Sequence, residues 1–145
     1  MGDRFGKSQV NPACGGKGES PAIDISGIPP KTKSLAVTIF DPDAPTESGW
    51  WHWLVFDLPP TTTSIAENAS AHGLPRGAEQ GRNDFGDIGY GGPCPPSGTH
   101  HYHVIVWALS VSRLKLPPHA TSTLIDAFLE NYEIAESTQV IKYSS

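Results

Sequence analysis

Cysteine is scarce in this chain: two residues, Cys14 and Cys94, among 145. Two thiols build neither a multi-bridge disulfide scaffold nor a cysteine-only zinc site. Basic residues are outnumbered, 10 Lys and Arg against 15 Asp and Glu, and they form no cluster. A net charge of −5 argues against a dedicated nucleic-acid binder, which carries a basic face, so DNA is not an expected partner. No apolar run approaches the roughly 18 residues of a membrane-spanning helix, and no integral membrane segment is expected. The stretch Met1 to Gln9 lacks the apolar core of a secretory signal. Taken as the whole protein, the chain is expected in the cytoplasm. Glycine and proline, 15 and 14 residues, are plentiful, yet they stay below the level of low-complexity disorder. With Trp 4, Phe 5 and Tyr 4 the chain reads as one folded, loop-rich domain spanning 1–145.

Three apolar, β-branched runs predict strands: Ser34–Phe40, Trp51–Leu58 and His101–Ser110. Each is apolar on both faces, which predicts central strands covered on both sides. Pro29-Pro30 and Pro59-Pro60 mark boundaries, because proline cannot donate to a sheet ladder. Residues 61–99 show little periodicity and read as a long functional loop. Its glycine-rich half, Gly81–Gly98, is expected to be ordered by Phe85, Ile88 and Tyr90. Thr121 or Ser122 can cap a helix in which Leu124, Ile125, Phe128, Leu129 and Tyr132 recur at helical spacing. Glu133–Tyr143 reads as a short second helix and a last edge strand. The class is mainly β: a β-sandwich-like domain with a central antiparallel or mixed sheet and a short C-terminal helical segment.

Two clusters carry candidate chemistry. Asp41-Pro42-Asp43-Ala44-Pro45 ends the first strand, and its prolines fix the backbone around two carboxylates. Gly49-Trp50-Trp51-His52-Trp53 follows; His52, in an aromatic stretch, is either a core histidine or a ligand-facing one. The other cluster runs from Tyr90 through Gly91, Gly92, Pro93, Cys94, Pro95 and Pro96 to His100, His101, Tyr102 and His103. Gly91 and Gly92 let a backbone approach a ligand closely. Strand alternation puts His100 with Tyr102 on one face and His101 with His103 on the other. The second pair reads as exposed strand histidines rather than as metal ligands, and no metal or other cofactor is expected.

These motifs, in this order, resemble the phosphatidylethanolamine-binding protein family. The form Trp50-Trp51-His52-Trp53 is similar to its prokaryotic, Raf kinase inhibitor-like branch. Gly18-Glu19-Ser20-Pro21-Ala22-Ile23 and Ile28-Pro29 add to the match, which covers roughly residues 12–143. The chain departs from the family pattern in a shortened or missing N-terminal strand and in His101, where the family usually has Arg. The resemblance implies a small anion pocket lined by Asp41, His52 and His100 and closed by Tyr102, with Tyr90, Gly92, Cys94 and Pro95 contributing from the loop. Two imidazoles, a phenol and backbone N–H groups would donate to an anionic phosphate. Asp41 would orient a histidine, or bind an ammonium or hydroxyl of the ligand, and Asp43 would make structural hydrogen bonds in the turn. The resemblance also implies a cis Ala44–Pro45 bond and a second cis bond at Ser48–Gly49. It places Cys14 and Cys94 at the same end of the sheet, near each other, either as two separate thiols or as a reversible disulfide.

The function read from these features is non-enzymatic binding of an anionic or phosphorylated small molecule, such as a phospholipid headgroup or nucleotide, with a regulatory role. A hydrolase using His52, His100 and Asp41 is the second reading; no Gly-x-Ser-x-Gly elbow supports it, and Cys94 is its only nucleophile candidate. A protein-interaction module that inhibits a kinase or protease is the third. A homodimer is compatible with all three.

Overall fold

The computed structural model describes residues 6–46, 48–94 and 99–144, the side chains of 143 and 144 excepted. In chain order the elements are a 3-10 turn at Pro12–Cys14, β1 (Ile23–Asp24), β2 (Ser34–Asp41), β3 (Trp50–Leu58), β4 (Ser64–Ile65), α1 (Ala69–His72), β5 (Glu79–Gln80), β6 (Thr99–Leu109), α2 (Ser122–Tyr132) and β7 (Glu133–Ser144). Five strands form one sheet in the order β5-β3-β2-β6-β7, and β1 with β4 forms a small second sheet. Every pairing is antiparallel, which settles the antiparallel-or-mixed alternative.

β2 is central, and Leu35, Val37 and Ile39 have no exposed surface. These three join Trp53, Val55, Tyr102 and Val104 in a core closed by Ile23 of β1, Ile65 of β4 and Ala69 of α1. The opposite face buries Ala36, Trp51, Leu54, Phe56 and Trp107 under Ile125 and Leu129 of α2. The sheet is therefore covered on both sides, as its two-faced apolar strands predict. One polar pair sits inside the second core: Trp107 Nε1 donates to Thr38 Oγ1 at 3.0 Å, which satisfies both groups. Thr121 caps α2 by accepting from the Leu124 N–H at 3.1 Å.

Three expectations need correction. Among the described residues no second helix follows α2: Glu133 turns directly into extended backbone at φ −64°, ψ 130°, and β7 pairs with β6 along its length. Ile134, Thr138, Val140 and Ile141 supply the β-branched content that favours a strand. Residues 61–99 are not one irregular loop, since β4, α1 and β5 lie within them; elements of two to four residues are too short to show a period. All described peptide bonds are trans, Ala44–Pro45 and Ser48–Gly49 included. The turn is made instead by Gly49 at φ +71°, where a Cβ would lie 2.8 Å from the Asp41 carbonyl oxygen. Thr46 Oγ1, donating to Gly49 O at 2.5 Å, closes it. Among the described residues, 6–22 contain no strand.

Candidate functional site

β2 ends at Asp41, and its antiparallel neighbours start at the same end of the sheet: β3 from Trp50 on one side, β6 from Thr99 on the other. The hairpin and the crossover thus bring Asp41, His52, His100 and Tyr102 together. A bulge does the rest. Ile39 pairs with Trp53 and Phe40 with Trp51, so His52 is the extra residue on β3. A bulge re-aims the side chain it carries. It also sends Trp51 and Trp53 into opposite cores, against simple alternation.

A cavity of about 160 Å³ opens here, lined by Asp41, His52, Cys94, His100 and Tyr102, and by Trp50, Phe85 and the Ala44–Thr46 turn. Asp41 and His100 are buried, and the Asp41 Oδ2 lies 2.6 Å from His100 Nδ1. Asp41 Oδ1 accepts from the Asp43 N–H at 2.8 Å. His52 Nδ1 lies 2.6 Å from the Gly91 carbonyl oxygen. A carbonyl oxygen only accepts, so Nδ1 carries the proton and the nitrogen left for a ligand is Nε2. Burial pushes the His52 imidazole below the ordinary histidine range, outweighing the Gly91 carbonyl and the Asp41 and Asp84 carboxylates, which pull it up. The neutral ring therefore offers an acceptor at Nε2, where the sequence reading expected a donor. The His52 and Tyr102 rings meet edge to face at 5.2 Å.

Tyr90 and Gly92 stand beside the cavity rather than on its wall. Tyr90 packs edge to face on Trp53 at 5.9 Å, and its hydroxyl donates to Gln9 O at 2.8 Å. Burial pushes its ionisation far up, and Tyr102 adds to that. Gly92 is buried beneath the N-terminal segment: a Cβ there would lie 2.3 Å from Gln9 O. Pro95 lies outside the described residues. Cys94 is bonded to Cys14, with Cα atoms 5.9 Å apart and a sequence separation of 80. Of the two cysteine alternatives, the structure holds the bridge, and it ties the 3-10 turn onto the cavity loop.

Asp43 holds the turn to β6. Its Oδ2 accepts from the His101 N–H and lies 2.9 Å from His101 Nδ1. Those bonds hold the Asp43 carboxyl below its usual range. Among the described residues no three His, Cys, Asp or Glu side chains are placed to hold a metal ion.

Trp50 and Phe85 were not foreseen as lining residues. Trp50 lies two positions from His52, and strand alternation alone would set the two on one face. Its Nε1 is buried with no hydrogen-bond partner among the described residues. Phe85 meets the rings of Trp50 and His52 edge to face at 5.3 and 5.5 Å. Asp84 anchors that loop, its Oδ2 accepting from the Trp51 N–H at 2.8 Å and its Oδ1 from Ser122 Oγ at 2.6 Å. A larger cavity, about 370 Å³, opens at the other end of β3, between Asp57, Glu79, Arg82, Arg113, Lys115 and His119; none of the motif residues lines it.

The chain is similar to known proteins along most of its length. The chain is 46% identical to the YbcL protein of Escherichia coli over 127 residues, covering 84% of this chain and 69% of that one. It is 40% identical to a Methanothermobacter thermautotrophicus relative over 131 residues, 90% of this chain and 85% of that one. Identity to Escherichia coli YbhB is 35%, over 99% of this chain and 94% of the relative. The crystal structure of YbcL, described as a new member of the mammalian PEBP family, superposes with a TM-score of 0.94 at 41% identity over all of this chain and 93% of the other. A Chlamydia trachomatis homologue gives 0.84 at 33% identity, over 99% and 91% of the two chains. The model of the phosphatidylethanolamine-binding protein family matches residues 2–144, and the chain belongs to that family.

Proposed function

We propose that this protein is a non-enzymatic binding protein that holds the anionic head of a small molecule, a phosphate group foremost, in the cavity between Asp41, His52 and His100. The observation that carries the reading is the buried Asp41–His100 pair, 2.6 Å apart, on the wall of a cavity of about 160 Å³. A buried carboxylate and imidazole on a cavity wall at one end of a sheet suit ligand orientation. The volume accommodates a small head group and leaves any larger part of the ligand outside. The hydrolase reading loses its nucleophile, because Cys94 is in a disulfide. Occupancy of the pocket would be the input of a regulatory role.

The Cys14–Cys94 bridge favours an oxidising compartment over the cytoplasm expected from the sequence, since reducing compartments keep thiols open. No described helix is long and apolar enough to cross a membrane.

Titration calorimetry of the full chain with inorganic phosphate and with acetate tests the binding reading. His100→Ala is expected to weaken phosphate binding about tenfold or more, the loss of one hydrogen bond to a charged group. Equal affinity in the variant would place the anion elsewhere.

A further inference from the structure

We infer that the larger cavity, at the end of β3 away from the motif residues, is a second ligand site, and that it takes a small organic monocarboxylate with an apolar body.

The cavity encloses about 370 Å³, within the roughly 300–1,000 Å³ usual for small-molecule sites. Two chain segments wall it: Glu79–Arg82 with Ile88 on one side, and Arg113 with Lys115–Ala120, between β6 and α2, on the other. A bulge builds the floor. Leu35 pairs with Leu58 and Val37 with Val55, so Ala36 faces two residues, Phe56 and Asp57. Such a bulge re-aims the side chains it carries, and both of these line the cavity. The bulge at His52 serves the other cavity in the same way. Four non-glycine residues among the described ones have positive φ, and three of them, Asp57, Lys115 and His119, line this cavity at +58°, +52° and +59°. L-residues rarely adopt that conformation, and backbone strain of this kind gathers at ligand sites.

The charges select the ligand. Arg82, Arg113 and Lys115 are exposed side chains on the cavity walls, three of the chain's 10 Lys and Arg. No Lys or Arg lines the Asp41 cavity. Arg113 Nη1 lies 3.6 Å from Asp57 Oδ2, too far for a hydrogen bond. Asp57 is itself anchored, its Oδ1 accepting from the Leu114 N–H at 2.9 Å. It therefore draws the guanidinium towards the cavity without consuming its N–H groups. A guanidinium fork fits a carboxylate through two parallel bonds. Against the three cations stand the carboxylates of Asp57 and Glu79, so one positive charge is left over and a monoanion balances it. Phe56, Leu116 and Ile125, with Ile88 67% exposed, give the body of the ligand an apolar bed.

The test is nuclear magnetic resonance titration of the full, oxidised, isotope-labelled chain with benzoate, benzyl alcohol and sulfate at about pH 7. Benzoate should move the amide signals of Gly81, Leu116 and Ala120 saturably. It should bind about tenfold more tightly than benzyl alcohol, which lacks the charge, and than sulfate, which lacks the apolar body. Arg113→Gln should weaken benzoate about tenfold. Lys115→Gly, which accepts the positive φ without strain, should weaken it several-fold. Benzyl alcohol or sulfate binding as tightly as benzoate overturns the inference, and so does an unchanged benzoate affinity in both variants. Benzoate shifts confined to His52, His100 and Tyr102, or no shift at all, overturn it as well. Phosphate binding beside Asp41 is read from signals at the other end of the sheet, so it stands or falls separately. Arg113→Gln strips the buried Asp57 of its nearest cation; where that variant does not fold, the three probes on the unaltered chain and Lys115→Gly decide the matter.

Discussion

Asp126 on α2 shows how single side chains set the pH response of the fold. Burial raises its carboxyl to about 6, and Glu130 and Glu136 push in the same direction. Glu130 lies four positions along the same helix, where like charges meet. Between the usual carboxylate range and about pH 6 the folded state holds a proton that the unfolded chain has released. Stability therefore declines as pH rises through that window. Asp126→Asn removes the ionisation, and its thermal midpoint should exceed the parent's at about pH 8 and equal it at about pH 4. A gain of the same size at both pH values would show that the change acts by packing. At this scale much of the site could be read from sequence. Asp41 and His100 flank apolar strands in recognisable motifs, and the prolines around Asp41 mark a rigid turn. The direction of His52 could not be read, because a bulge decides it and a bulge has no sequence period. The acceptor at Nε2 depends on which carbonyl meets Nδ1, a contact 39 positions away. Phe85 reaches the cavity from a segment without periodicity, so its place there followed from no pattern.

The three central strands were legible from their β-branched, largely apolar runs, and α2 from apolar residues at helical spacing. β1, β4 and β5 were not; each has two residues, and their pairing is set by what packs over the sheet rather than by propensity. The segment Gln9–Asn11 belongs with these. It has no regular structure, yet Val10 is buried and the Asn11 N–H donates to Pro93 O at 3.2 Å. It lies across Gly92 so closely that a Cβ would stand 2.3 Å from Gln9 O and 2.7 Å from Asn11 N. Backbone atoms cannot step aside as a flexible side chain can. Gly92→Ala should lift the segment and cost about 1–3 kcal/mol. The expected readout is a lower urea midpoint together with faster proteolysis before residue 14. An unchanged midpoint would mean that the segment shifts without loss.

At the scale of the molecule, two cores share one sheet, and a single bond joins the turn at Pro12–Cys14 to the loop beside the cavity. The anticipated layering holds because strands apolar on both faces need a cover on each side. The bond itself was left open at the sequence level, where the resemblance brought the two cysteines to one end of the sheet without deciding between a bridge and two separate thiols. Loop closure of this size contributes about 4–5 kcal/mol in the chain-entropy model. It also has a mechanical meaning. β2, β3 and the loop carrying Phe85 all lie inside the covalent ring from Cys14 to Cys94. A tensile load applied at the two termini passes through the bridge and bypasses that ring, so only the chain outside it can be drawn out. At about 3.5 Å per extended residue, the 80 positions enclosed withhold about 280 Å of contour length. Pulled in an optical trap, the oxidised molecule should rupture to an extension shorter by that amount than the reduced one, while the strands holding Asp41 and His52 stay shielded from the force.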